Sequence, residues 1–77
     1  MTEITSESLG EALPREMARV RDEVLPAYME ANKMPQANCD FAIASIRIDL
    51  NEATRAMAEG DLQSMIVLYQ RLRDYRL

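Results

Sequence analysis

The sequence predicts an all-α fold: a compact three-helix bundle led by a short flexible acidic N-terminal arm, with self-association open to so small a core. Three observations predict it. Apolar residues recur every three or four positions in three separate segments, the stretch "NKMPQAN" carries the turn chemistry of a first corner, and the pair Gly60-Asp61 carries that of a second. At 77 residues the chain makes one domain, which buries only about 60% of its unfolded surface on folding. Four aromatic residues and no Trp leave Leu, Ile, Val, Met and Ala to build the core, and a core of that size often gains stability from a second chain.

The opening stretch "MTEITSESLGEA" is polar, acidic and aperiodic, and reads as a flexible arm over residues 1–12, ahead of a single three-helix domain over 13–77. Ser8 and Glu11 have capping-box spacing, but Pro14 removes a backbone donor where an established helix needs one. The first long helix is therefore expected over 14–32, with proline in its first turn. Leu13, Met17, Val20, Val24, Ala27 and Ala31 line one face of it. Pro26 lies inside the pattern, at a cost of roughly 3 kcal/mol unless the helix bends or ends there. A bent helix is the better reading, because Tyr28 and Ala31 continue the apolar side.

The second helix is expected over 37–59. Its main face is Cys39, Ile43, Ile46, Leu50, Ala53 and Met57, and a second apolar row, Phe41, Ala44 and Ile48, predicts burial on two sides, as for a helix lying between two others. Gly60 suits the left-handed residue that ends a helix, and Asp61 is a preferred N-cap able to accept from the amides of Gln63 or Ser64. The third helix, 62–75, then presents Leu62, Met65, Ile66, Tyr69 and Leu72 at helical spacing.

The formal charge of −4 disfavours nucleic acid as a partner. From Asp61 onward Arg71, Arg73 and Arg76 stand against two aspartates, a local +1 that a solvated helix end explains. The single Cys39, the absence of a signal-peptide pattern and the lack of a long uncharged apolar run predict a cytoplasmic protein with no membrane partner.

No histidine is present, which removes the commonest general base and metal ligand. Cys39 reads as a small buried hydrophobe, and Lys33 is a loop residue with nothing to desolvate it. Asp40, Asp49, Glu52 and Glu59 form no calcium-loop pattern, while Glu16 with Arg19 and Glu52 with Arg55 read as surface ion pairs. With glycine only at positions 10 and 60, no phosphate loop exists. The expectation is a protein without catalytic, metal or cofactor-binding residues. Candidate partner contacts are Tyr28, Met29 and Met34 around the first corner, and Arg71, Arg73 and Tyr75 at the chain's end, since Met, Tyr and Arg are favoured at interfaces. Sealing the end of the bundle is the equal alternative for the first three.

In combination, "LPREMARVR" (Leu13–Arg21), "LPAY" (Leu25–Tyr28), "DLNEATRAMAEGD" (Asp49–Asp61) and "MIVLYQRL" (Met65–Leu72) resemble small all-helical proteins encoded by tailed bacteriophages and bacterial prophages. The resemblance covers residues 13 to about 75. It implies an origin, a size class and a bacterial host cytoplasm, and brings no site residues, because that group has no established activity. Its first corner is often glycine-containing, whereas "NKMPQANCDF" stands there in this chain. The leading functional expectation is an accessory protein that binds another, unidentified protein, with homo-oligomerisation open. The alternatives are a nucleic-acid-associated regulator using the third helix, against which Arg71 and Arg73 project about 200° apart, and a structural virion component.

Overall fold

The computed structural model describes residues 6–76. The first helix is α-helical over Ser6–Arg19, widens into a π turn over Val20–Val24, and is α-helical again over Leu25–Ala31. The second helix is Asp40–Glu59 and the third Leu62–Asp74. Together they form an all-α three-helix bundle whose core is a single cluster drawn from all three helices, including Leu9, Leu13, Val20, Ile46, Leu68 and Leu72.

The first helix begins eight residues before Pro14. Of the arm expected over residues 1–12, residues 1–5 lie outside the described residues, and from Ser6 the chain is helical. Leu9 and Leu13, one turn apart, are both fully buried. Each such leucine contributes about 1.5–3 kcal/mol, so the two together match or exceed the roughly 3 kcal/mol cost of an interior proline. The carbonyl that Pro14 leaves without its helical donor belongs to Gly10, which is exposed, so water can reach it.

At Pro26 the helix continues, and the π turn supplies the reason. The N–H of Leu25 donates to the carbonyl of Val20, five residues back. An ordinary α turn would drive the Pro26 ring into the carbonyl of Asp22; the wider turn opens that space. The extra residue also rotates the apolar stripe, and Leu25 and Tyr28 pack on the core beyond it.

Asn32 then ties the first corner. Its side-chain oxygen accepts from the N–H of Cys39 (2.7 Å) and its amide donates to Asp40 Oδ1 (2.8 Å), while Asn38 accepts from the N–H of Asp40 (3.2 Å). Two asparagine side chains thus hold the residues that lead into the second helix, which begins at Asp40 rather than near residue 37.

The second helix buries one arc, Ile46, Asp49, Ala53 and Ala56, with Leu50 and Met57 partly covered. The expected burial of its second row is not found. Phe41 is 85% exposed, Ile48 56%, and Ala44 is exposed as well. The third helix packs against both others, and both parts of the first helix also meet the second.

The second corner follows its local chemistry. Gly60 has φ +68°, its N–H donates to Met57 (3.2 Å), and the N–H of Asp61 donates to Ala56 (2.9 Å), the paired bonds of a Schellman end. Asp61 accepts from the hydroxyl (2.7 Å) and the N–H (3.2 Å) of Ser64, bonds that hold its carboxyl below the ordinary carboxylate range. In the third helix Met65 and Leu72 are buried as the spacing predicts. Leu62 and Ile66 remain exposed, and Leu68 takes the core position between its neighbours.

The two glycines should respond oppositely to alanine, since neither meets an atom within 4 Å of an added Cβ. Gly60→Ala forces a side chain into the left-handed region and should cost about 1–2 kcal/mol. Gly10→Ala, inside a helix, should add about 0.5–1 kcal/mol. Chemical denaturation of both variants checks the pair of signs.

Candidate functional site

The polar side chains of the bundle converge where the third helix ends. Asp49, on the buried arc of the second helix, is only 5% exposed. Its Oδ2 accepts from the Tyr75 hydroxyl at 2.8 Å, and its Oδ1 from Arg71 Nη1 at a longer 3.4 Å. Tyr75 reaches it because the chain leaves helical geometry there, with extended backbone angles at the residue after Asp74. Burial pushes the Tyr75 phenol up from its ordinary value of 10.0, and the Asp49 carboxylate adds to the effect, while Ser45 and Arg71 act against it.

On the opposite side of the same helix end lies Arg19. Its Nη2 donates to the carbonyls of Leu72 and Tyr75, both at 2.9 Å, and its Nε to Glu16 at 3.0 Å. Glu16 and Arg19 therefore form more than a surface pair: Glu16 orients a guanidinium that caps another helix. The last carbonyls of a helix lack internal partners and carry the negative end of its dipole, so a cation suits them twice over.

Chemically, a buried carboxylate beside a phenol is a proton-donor arrangement, but here every group is already engaged. Among the described residues no buried side-chain nitrogen or oxygen is left without a hydrogen-bond partner. Nor do three or more His, Cys, Asp or Glu side chains gather where they could hold a metal ion. Ser45, Asp49, Arg71, Asp74 and Tyr75 line an open groove along this junction, and the junction itself acts as a polar strut.

The six residues singled out from sequence divide into two groups. Tyr28, Arg71, Arg73 and Tyr75 each engage another part of the chain, Arg71 and Arg73 while staying exposed: Tyr28 donates to the carbonyl of Arg76 at 3.1 Å, Arg73 stacks over the Tyr69 ring at 5.6 Å, and Arg71 and Tyr75 hold Asp49. Met29 and Met34 face outward, Met34 at 64% exposure in the first corner. Met29 continues onto the second helix, its sulfur 3.9 Å from Arg47 Nη2.

What the sequence reading placed in the core, and the structure places outside, is the row Phe41–Ala44–Ile48. The row was visible as a second apolar stripe; its direction depends on where the other helices lie. Cys39 is a half-buried free thiol at the start of the second helix. No known protein family matches this chain, and neither a curated protein nor a solved structure shows significant similarity to it.

Two outcomes follow from the junction. Tyr75→Phe leaves the buried Asp49 carboxylate with Arg71 alone and should cost about 1–3 kcal/mol at neutral pH. Because the phenol's folded value is raised, its contribution is fully present below pH 10.0 and is lost as pH rises through the folded value. The variant should lack that alkaline loss in a series of denaturation midpoints. Arg19→Met keeps the aliphatic stem but strips the cap, and should cost about 1–3 kcal/mol. Amide exchange should quicken first in the last turn of the third helix.

Proposed function

We propose that this chain is a small accessory protein that acts by binding another protein, without catalysis of its own, and that the outward face of its second helix is the contact. The observation that carries the reading is the exposure of Phe41 and Ile48 one above the other on a single helical face. Covering Phe41 and Ile48 contributes about 1.5–3 kcal/mol each before the cost of association. Arg71 and Arg73 engage Asp49 and Tyr69 while remaining exposed, and the formal charge of −4 weighs against nucleic acid as the partner. The sequence resemblance to phage and prophage proteins supports action inside a bacterial host cell. Among the described residues no helix is long and apolar enough to cross a membrane.

The test is capture from a bacterial lysate on the tagged full-length chain, with and without nuclease, beside a Phe41→Ser/Ile48→Ser variant. A stoichiometric protein that survives nuclease and is lost with the variant is the expected result. Capture that vanishes with nuclease, or that the variant leaves intact, overturns the assignment. Both positions are exposed, so the variant should keep the helical circular dichroism of the parent.

A further inference from the structure

We propose that a second copy of this chain covers the outward face of the second helix, the two helices running antiparallel and crossing at Ala44. This rests on the reading of that face as a contact surface and names its occupant. At about 100° per residue, Phe41, Ala44 and Ile48 fall within an arc of about 60°. Asp40 and Arg47 lie together along one edge of that arc, separated by only about 20° around the helix.

A two-fold axis beside Ala44 that reverses the helix direction keeps that edge facing the same edge of the other copy. Phe41 of each chain then lies level with Ile48 of the other, to within about 1.5 Å along the helix, and Asp40 lies equally level with Arg47. The apolar contact and the ionic contact are thus satisfied by one register, and each occurs twice. A parallel pair sets Phe41 against Phe41 and turns Arg47 toward the edge that holds Ser45 and Glu52, whose carboxylate lies about 7.5 Å out of level along the helix. At the crossing point itself the side chain is alanine, small enough for the two backbones to approach closely.

The ionic partners are suited to this use. Among the described residues Arg47 meets no carboxylate; its nearest polar neighbour is the Met29 sulfur. Asp40 engages Asn32 through Oδ1, which leaves Oδ2 for a guanidinium. Opposite charges directly across an interface fix register and exclude wrong partners.

Light scattering or sedimentation of the full-length chain, from about 1 µM to about 500 µM, reads the association directly. The expected result is a mass rising from 8.8 kDa toward twice that value. Phe41→Ser and Arg47→Asp should each weaken the dimer by about tenfold or more, and Asp40→Arg combined with Arg47→Asp should restore it to within about threefold. Circular dichroism of each variant shows that the fold is kept. A chain that stays monomeric throughout, or a dimer indifferent to Phe41 and to the charge exchange, overturns the proposal. A monomer that captures another protein through Phe41 overturns only the pairing and leaves the contact face standing; a monomer with no Phe41-dependent capture overturns both.

Discussion

One guanidinium ties the bundle's first helix to its last. Arg19 donates to two carbonyls at the end of the third helix, across 53 and 56 residues of sequence. The Leu72 carbonyl also accepts from the Tyr75 N–H (3.2 Å), so Arg19 is its second donor, and the dipole end of the helix favours the charge that Arg19 brings. The π turn begins at the next residue, Val20. The cap and the widened turn together set how the first helix leaves the core and where its second half, with Tyr28, meets the chain's end. From the other side Tyr75 reaches Asp49, so the same short segment is bonded to all three helices. Tyr28 adds a further tie through the carbonyl of Arg76.

That junction makes the third helix the shared neighbour of the other two and gives the molecule its shape. Its extents are 44 × 27 × 16 Å, the longest set by a first helix of about 39 Å. The radius of gyration, 13.6 Å, exceeds the roughly 11.5 Å typical of a domain this long. An elongated, thin bundle covers each helix over a limited arc. For the second helix that arc is occupied by Ile46, Asp49, Ala53 and Ala56, so Phe41, Ala44 and Ile48 are left outside. Their exposure is a consequence of how the helices are joined.

Features decided within a few residues could be read from the sequence. Gly60 and Asp61 act through atoms no more than five residues away, and their cap chemistry specifies the corner without knowledge of the fold. Three helical segments and most of the buried face of the first helix follow in the same way from spacing. Ser6 as a helix start could not be read, because Pro14 opposes it locally and only the burial of Leu9 among distant residues reverses the balance. Asp49 stood among four carboxylates that form no calcium-loop pattern, and its role could not be read because its partners lie 22 and 26 residues downstream. Tyr28, Arg71, Arg73 and Tyr75 have the composition of contact residues. Long-range or cross-helix bonds engage Tyr28, Arg71 and Tyr75 within the chain, and the Tyr69 ring engages Arg73. Periodicity identified the row Phe41–Ala44–Ile48 as apolar, but an apolar stripe carries no information about which neighbour, inside or outside the chain, will cover it.

The same polar network also determines how the exposed row can act. Phe41, Ala44 and Ile48 lie within a 20-residue helix whose start is braced by Asn32 and Asn38 and whose end is closed by Gly60. Its opposite side is fixed to the core through Asp49, Ala53 and Ala56. A face held in this way has already lost its backbone freedom on folding, so covering it costs little further ordering. What remains is the docking of one formed surface on another, in which shape and the placement of Asp40 and Arg47 decide the partner. A partner that carries its own cation opposite Asp40 and its own carboxylate opposite Arg47 is selected over one that brings only apolar surface.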